Sequence, residues 1–120
     1  MAVQKFTGTG VAVTTPFKQD QSVDHASLKK HIQFLVENGI DYLVVLGTTG
    51  ENPTITDDER RRLVDLAVET ADGRVPVIVG TGTNNTDQSA AYSKAAVEAG
   101  ADGVLVVGPY YNKPSQAGFV

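Results

Sequence analysis

The chain contains no cysteine, and its basic residues are outnumbered by its acidic ones. Without cysteine it can form no disulfide, no thiolate zinc site and no cysteine nucleophile, and a reducing, cytoplasmic location fits this composition. Ten Lys and Arg against fourteen Asp and Glu give a formal net charge of −4. A chain with this balance has no broad positive field, so we expect neither nucleic acid nor anionic lipid as a partner. A small anionic ligand has to be held by a local site.

Long apolar runs are also missing. The longest, Tyr42–Leu46, is far too short to cross a bilayer, and the N-terminal residues lack the apolar core of a signal peptide. We therefore expect a soluble protein with no membrane partner. The 120 residues suit one ordinary domain. At about 30 residues for each strand–helix unit they provide about four units, whereas a closed (β/α)8 barrel needs about 250 residues.

Four short apolar runs alternate with three helical patterns. Runs of Val, Ile and Leu without polar alternation are typical of parallel strands that helices bury on both faces. Short connections between strands and helices imply right-handed crossovers. The predicted strands are Gly10–Thr14, Tyr42–Leu46, Val75–Val79 and Val104–Val107, and the buried stripes of the predicted helices are Leu28, Ile32, Leu35 and Val36; Leu63, Ala67 and Ala71; and Ala91, Ala95 and Ala99.

The ends of these helices carry their own signals. The first pattern stops at Gly39 and the third at Gly100, as expected of the left-handed residue that follows a helix. The second begins with a capping box, in which Thr56 accepts from an orphan amide and Glu59 reaches back. It ends at Ala71, just before an Asp-Gly pair.

A repeat links two helix-to-strand junctions. Residues 36–47 and 97–108 are identical at six of twelve aligned positions, with an offset of 61 residues. We expect both segments to make the same turn from a helix end, through a glycine and an aspartate, into a buried strand. The repeat is either a duplication of two strand–helix units or the common form of such a junction.

Polar chemistry is concentrated where the strands end. Sites in parallel α/β sheets form at the carboxyl ends of strands, and the loops there are rich in glycine, hydroxyls and amides. The opposite ends carry Asp41 and Asp102, which we interpret as caps. The asymmetry predicts a functional face built from the loops 15–17, 47–52, 80–86 and 108–114.

The loop Gly47-Thr48-Thr49-Gly50 is the most informative of these. Its glycines permit a tight turn that exposes consecutive amides, and its two hydroxyls add donors, so it suits a carboxylate or another small oxyanion. The alternative is a strand-to-helix turn whose threonines only cap a helix. Glu51 is expected to brace the loop and not to act as an acid.

Other motifs argue against competing sites. Gly80-x-Gly82 lacks the third glycine and the acid of a dinucleotide fingerprint. His25 and His31 have no spaced partner acids, so we expect no metal. Tyr110 and Tyr111 can point opposite ways in an extended loop, one phenol facing a site; packing is the alternative.

Six motifs, taken in their order and spacing, resemble the dihydrodipicolinate synthase family of pyruvate-dependent class I aldolases. Sialic acid lyases and keto-sugar-acid aldolases share the scaffold and are the alternative. The motifs are Phe6–Gly8, Thr14–Phe17, Ala26–Lys30, Gly47–Glu51, Pro76–Gly82 and Pro109–Pro114.

The resemblance implies a (β/α)8 TIM barrel, with residues 1–120 forming the N-terminal half of a single barrel domain. It also implies a lyase that works without a metal or a separate cofactor. A lysine forms a Schiff base with pyruvate, and the resulting enamine attacks aspartate β-semialdehyde to give 4-hydroxy-tetrahydrodipicolinate, an early step of lysine and diaminopimelate biosynthesis. The implied assembly is a homotetramer, a dimer of dimers.

The resemblance assigns roles to residues of the glycine loop and of the tyrosine pair. Thr49, together with the Gly47 to Gly50 amides, would bind the pyruvate carboxylate. Thr48 and Tyr111 would belong to a proton relay, and Tyr111 would reach into a neighbouring subunit.

The same resemblance implies a regulatory region at the dimer interface, near Tyr110 and Asn84. Lysine binds there as a feedback inhibitor in many members. The acid and histidines of lysine-sensitive members are replaced here by Gln88, Asp57 and Arg60.

The Schiff-base lysine has no candidate in the chain. Such a lysine must lose its proton near neutral pH, which requires a desolvated position inside a barrel. We expect this lysine to lie outside these residues and the chain alone to be inactive. A non-catalytic half-barrel that serves as an assembly module, or a small-anion-binding module, are the alternatives. The lysines, all in polar contexts, are Lys5, Lys18, Lys29, Lys30, Lys94 and Lys113.

Overall fold

The computed structural model describes residues 5–119, which form a four-stranded parallel sheet with helices. The strands lie side by side in chain order, β1-β2-β3-β4. The elements in chain order are β1 (Gly10–Ala12), α1 (His25–Glu37), β2 (Tyr42–Val45), a 3-10 turn (Asn52–Thr54), α2 (Asp57–Ala71), β3 (Val77–Gly80), α3 (Thr86–Glu98), β4 (Gly103–Leu105) and a short α4 (Gln116–Phe119).

This strand order explains where the core lies. Right-handed crossovers between neighbours that follow in sequence place every connecting helix on one face of the sheet, as in consecutive units of a β/α barrel. The helix-facing residues of β2 and β3 are accordingly almost fully buried, whereas their alternates are only partly so. The buried set includes Leu43, Val45, Val77 and Val79.

The prediction that all strands are buried on both faces is therefore wrong for this chain. Along β4 and its extension, the side chains of Val104, Leu105, Val106 and Val107 are 38–52% exposed. These residues form the outer edge of the sheet, and their second face lies on the side that carries no crossover helix.

Strand boundaries also moved. The predicted strand Val75–Val79 begins instead at Val77, because Pro76 has no amide to donate to the ladder. The predicted strand Val104–Val107 begins at Gly103 and its pairing with β3 ends at Leu105, opposite Gly80.

The first two helices follow their predicted patterns. In α1, Leu28 and Ile32 are buried and Gly39 has a φ of 85° just beyond the helix end. In α2 the capping box of Thr56 and Glu59 is present in both directions. The helices pack against each other and, through Leu63, Ala67 and Ala71, on the core.

Helix α3 differs from its prediction. Its buried residue is Ala96, whereas Ala91 and Ala95 are exposed and Val97 is 60% exposed. The predicted alanine stripe lines a groove of about 540 Å³ between α2 and α3 instead of a close contact. The small side chains leave this groove open.

The repeated junctions make the same turn, as predicted. Gly39 and Gly100 both have positive φ. The aspartate two residues after each glycine forms hydrogen bonds with the main chain at the start of the neighbouring strand. The Asp41 carboxylate accepts from the Thr9 amide at 2.6 Å, and its own amide donates to the Thr9 carbonyl.

The second junction repeats this arrangement. The Asp102 carboxylate accepts from the Val77 amide at 2.8 Å, and its own amide donates to the Val77 carbonyl. We call the two arrangements the aspartate clamps. Both lie at the edge where the strands begin, so the predicted asymmetry between the two edges of the sheet is present.

Candidate functional site

The glycine loop at the end of β2 is built from two overlapping turns. The Gly50 amide donates to the Gly47 carbonyl at 3.0 Å, and the Glu51 amide donates to the Thr48 carbonyl at 3.1 Å. Within residues 5–119, the amides and hydroxyls of Thr48 and Thr49 donate no hydrogen bond to the protein. Both threonines are exposed. The loop therefore presents four unused hydrogen-bond donors to solvent, and such a group of donors can bind an oxyanion.

Strained backbone brackets this loop. Leu46 and Glu51 both have a φ of 56°, in the left-handed region that a branched or long side chain rarely adopts. Leu46 is also only 1% exposed, so packing holds it in place. Glu51 braces the loop as expected, because its carbonyl accepts from both the amide and the hydroxyl of Thr54.

The β1 loop supports the glycine loop from the side. The Thr15 hydroxyl, 8% exposed, donates to the Gly50 carbonyl at 2.7 Å. Gly50 is itself buried, and a Cβ there would lie 3.2 Å from the Val13 carbonyl oxygen. This close backbone approach favours glycine.

Hydroxyls after β3 serve the structure and not the site. The Thr81 hydroxyl lies 2.8 Å from that of Ser93, and Thr81 is fully buried. The Ser89 hydroxyl accepts from the Thr83 amide at 2.8 Å, tying the loop to α3. Hydroxyl-rich composition alone does not distinguish this loop from the glycine loop.

The tyrosine pair lies in a turn, so the predicted extended loop is wrong. Tyr111 has a φ of 68°, and the Asn112 amide donates to the Tyr110 carbonyl at 2.8 Å. Tyr110 is 45% exposed and Tyr111 is 89% exposed. The Asn112 side chain donates to the Asn84 carbonyl at 3.3 Å, which joins the β3 and β4 loops.

The structure thus brings together only part of the predicted set. Gly47, Thr48, Thr49 and Gly50 share one loop, and Asn84 lies against the turn of the tyrosines. No hydrogen bond within residues 5–119 joins Tyr111 to Thr48. The implied relay is not closed among these residues.

The lysines and histidines stay outside the site. All six lysines are exposed, and Lys5 pairs with Asp102 at the opposite edge of the sheet. No group of three side chains suited to a metal comes together in the described part of the chain. His25 and His31 both lie in α1, outside the glycine loop and the turn of the tyrosines.

Arg60 was noted in the sequence only as a departure from the lysine-sensitive pattern, and its burial was not predicted. Arg60 of α2 is 7% exposed and donates from Nη1 to the Gly80 carbonyl at 3.0 Å. Burial lowers the pKa of Arg60, while the nearby Tyr92 and Asp57 act in the opposite direction. A signal was present in the sequence: Arg60 precedes Leu63 and Val64 by three and four residues, which puts it on the buried stripe of α2.

Comparisons with known proteins agree with this architecture. The model of the dihydrodipicolinate synthetase family matches residues 5–120. The chain belongs to this family. It is 68% identical over 114 residues to the 4-hydroxy-tetrahydrodipicolinate synthase of Salinibacter ruber, covering 95% of this chain and 38% of that protein.

Solved structures give the same result. The crystal structure of dihydrodipicolinate synthase from Thermotoga maritima is 49% identical, with a TM-score of 0.92 over 97% of this chain and 39% of that one. A prophage protein of the dihydrodipicolinic acid synthase family from E. coli K12, solved in complex with pyruvate, is 38% identical, with a TM-score of 0.90 over 95% of this chain and 38% of that one.

The chain thus spans about two-fifths of the length of the relatives that it matches. Its fold is that of the (β/α)8 barrel, of which it supplies the first four β/α units. In a barrel of this family the glycine loop lies at the face where the strands end, the face that carries active sites. No helix among residues 5–119 has both the length and the apolar character needed to span a membrane.

Proposed function

We propose that this chain forms the first half of a 4-hydroxy-tetrahydrodipicolinate synthase, a lyase of lysine and diaminopimelate biosynthesis. In this reaction a lysine amine attacks the keto carbon of pyruvate and water leaves, giving an imine. Loss of a methyl proton gives the enamine, which forms a carbon–carbon bond to the aldehyde carbon of aspartate β-semialdehyde while the aldehyde oxygen takes up a proton. The amine of the semialdehyde then attacks the imine carbon and displaces the lysine amine, which closes the ring and releases the product. Family membership supports this proposal.

The attacking lysine is supplied from outside residues 1–120. A Schiff-base lysine must be desolvated to react near neutral pH. Every lysine of the chain is exposed, so none has that environment. We propose one barrel domain, of which residues 1–120 are the N-terminal half.

The observation that carries the proposal is the set of free donors on the glycine loop. The amides and hydroxyls of Thr48 and Thr49 have no protein acceptor within residues 5–119, at the edge where barrel enzymes bind substrate. The Thr49 hydroxyl and the free amides of Thr48 and Thr49, between Gly47 and Gly50, hold the pyruvate carboxylate. This contact fixes the keto carbon for attack without a metal or a cofactor.

The remaining assignments concern proton transfer and assembly. Thr48 passes a proton to or from Tyr111, whose 89% exposure leaves it free to enter the site of a neighbouring subunit. Tyr110 and Asn84 lie at the resulting dimer interface, and the dimers pair to a homotetramer.

Two measurements on the full-length enzyme test the proposal. Borohydride with pyruvate should trap a covalent adduct on the full-length enzyme and none on residues 1–120. Thr49→Val should raise the KM for pyruvate about tenfold, the effect of losing about 1.4 kcal/mol of binding. The control is Thr7→Val, because Thr7 precedes β1 at the opposite edge of the sheet, is also exposed, and has a hydroxyl that makes no hydrogen bond within residues 5–119. No adduct on the full-length protein would refute the reaction class.

The aldehyde partner is tested separately. The chain's site residues engage pyruvate, so a sister aldolase acting on a sialic acid or a keto-deoxy sugar acid would use the same loop. Aspartate β-semialdehyde should be consumed faster than N-acetylmannosamine or glyceraldehyde at equal concentration. The opposite preference would assign the chain to a sister aldolase.

A further inference from the structure

A cluster of four side chains joins α2 and α3 beneath the end of β3. The Arg60 guanidinium lies 4.1 Å from the centre of the Tyr92 ring, which is the geometry of a cation–π contact. The Tyr92 hydroxyl donates to the Asp57 carboxylate at 2.6 Å and accepts from Nε2 of the Gln88 side chain at 3.0 Å. We call Asp57, Arg60, Gln88 and Tyr92 the α2–α3 clasp.

The two charged groups of the clasp, the Arg60 guanidinium and the Asp57 carboxylate, both contact the Tyr92 side chain. The hydrogen bond to Asp57 is the main cause that raises the pKa of Tyr92, so the phenol stays a donor near neutral pH. Arg60 therefore faces a neutral ring, and the Asp57 carboxylate contacts the hydroxyl of that ring. The cation is left free to bind a main-chain acceptor.

That acceptor is the carbonyl of Gly80, which is the last residue of β3. The backbone of Gly80 lies against the backbone at the start of the glycine loop. A Cβ at Gly80 would lie 1.9 Å from the Leu46 carbonyl oxygen and 2.9 Å from the Gly47 nitrogen. No side chain fits between these backbones. A shift of Gly80 is thus a shift of the Leu46–Gly47 peptide.

The peptide that Gly80 contacts is the strained one. Leu46 has a φ of 56°, and a buried residue keeps such a conformation only when its surroundings determine it fully. The chain of contacts runs from Arg60 to the Gly80 carbonyl, then to the Leu46–Gly47 peptide, and then to the turns that present Thr48 and Thr49.

We propose that Arg60 is a positioning residue for the glycine loop. Its hydrogen bond fixes the end of β3 against Leu46, and this contact holds the Thr48 and Thr49 donors in the geometry that binds a carboxylate. Arg60 does not touch the substrate. The effect on pyruvate rests on the proposed function, whereas the effect on the loop does not.

The variants separate positioning from simple stability. Arg60→Met keeps the apolar stem of the side chain and removes the donor to Gly80. Arg60→Lys keeps a cation that can reach the carbonyl and should restore most of the effect. Arg61→Met is the matched control, since the adjacent Arg61 side chain is 73% exposed and pairs only loosely with Asp58 at 3.8 Å.

The first measurement is amide hydrogen exchange, which needs no activity. The Gly50 and Glu51 amides close the two turns of the loop. Arg60→Met should accelerate their exchange about tenfold, equivalent to ~1.4 kcal/mol of local opening, while Arg61→Met leaves it unchanged. Unchanged exchange in Arg60→Met, or equal acceleration at distant core amides such as Leu28, would overturn the proposal.

The second measurement is steady-state kinetics of the full-length enzyme. Arg60→Met should raise the KM for pyruvate about tenfold with kcat changed by less than about threefold, and Arg60→Lys should recover most of it. If Thr49→Val raises this KM and Arg60→Met does not, positioning by Arg60 is refuted while the proposed function stands. If neither variant changes it, the carboxylate site itself is refuted, and the exchange result alone decides whether Arg60 orders the loop.

Discussion

Glu59 ties two helix beginnings together, and its removal should cost the fold measurable stability. Its Oε1 accepts from the Val23 amide at 2.9 Å, and its Oε2 accepts from the Thr56 amide at 3.1 Å and from the Thr56 hydroxyl at 2.9 Å. Val23 directly precedes the N-cap Asp24 of α1, and Thr56 is the N-cap of α2. One carboxylate therefore anchors both helices.

The expected loss follows from these bonds. Glu59→Ala removes the capping box, worth about 1 kcal/mol, and leaves the amide of Val23 without its acceptor, at a further cost of about 1 kcal/mol. Since Val23 is only 2% exposed, water cannot readily replace the carboxylate. A loss of about 2 kcal/mol lowers the Tm of a complete barrel of about 250 residues by roughly 4–8 °C. Thermal unfolding followed by circular dichroism measures the shift.

The same contacts set a pH dependence. Hydrogen bonds from the amides of Val23 and Thr56 hold the pKa of Glu59 below its ordinary value of 4.5. A carboxyl whose folded pKa is depressed contributes stability that is complete above the unfolded pKa and is lost as the pH falls through the folded pKa. The difference in Tm between the wild type and Glu59→Gln should thus be largest near neutral pH and shrink below about pH 4.5.

Glu69→Ala is the control for both experiments. Glu69 lies on the same helix, is exposed, and makes no hydrogen bond or ion pair through its carboxylate within residues 5–119. Its variant should unfold within about 2 °C of the wild type, as is usual for surface positions. If Glu59→Ala unfolded no earlier than Glu69→Ala, or if the Tm deficit of Glu59→Gln persisted unchanged at acid pH, the account of Glu59 would be wrong.

Two further outcomes follow from close packing and from the open edge of the sheet. Gly80→Ala should lower the Tm by roughly 10 °C or more or yield insoluble protein, because its Cβ overlaps the Leu46 carbonyl oxygen. Gly118→Ala should be tolerated, because the nearest atom lies 3.5 Å from its Cβ. Equal Tm values for the two variants would contradict this reasoning. Residues 1–120 should self-associate through the exposed β4 edge, which light scattering measures as a mass above that of the monomer. Val106→Lys should reduce this mass, whereas Val97→Lys on α3 should not. A monomeric wild type would count against association through the β4 edge.

Local signals predicted the fold where local energetics decide it. The capping box at Thr56 and the glycines at positions 39 and 100 fix helix ends through hydrogen bonds and φ angles that involve only a few neighbouring residues. The position of each duplicated aspartate two residues after its glycine is equally local, although its partner, Thr9 or Val77, is distant in sequence. The strand order followed because short crossovers permit few topologies.

Signals that depend on distant chain were less reliable. The apolar run of β4 predicts burial, but burial needs a neighbouring strand, and the residues of β4 have one neighbour in the described chain. An arginine is usually a surface residue, although the position of Arg60 on the buried side of α2 predicts that it is buried. Its role follows only from its hydrogen bond to the Gly80 carbonyl, which the sequence does not show. The free donors of Thr48 and Thr49 could be suggested by their loop sequence but distinguished from those of Thr81 only by the fold.

The aspartate clamps divide labour between the two edges of the sheet. Asp41 and Asp102 each bind main chain of the preceding strand, so the register of those strand pairs is held at the edge opposite the loops. The loops at the other end are thereby relieved of holding the strands together. Such a barrel can accept new residues, strained turns and new substrates at its catalytic edge without losing its register, and two strand–helix units with one clamp form a piece that evolution can copy whole.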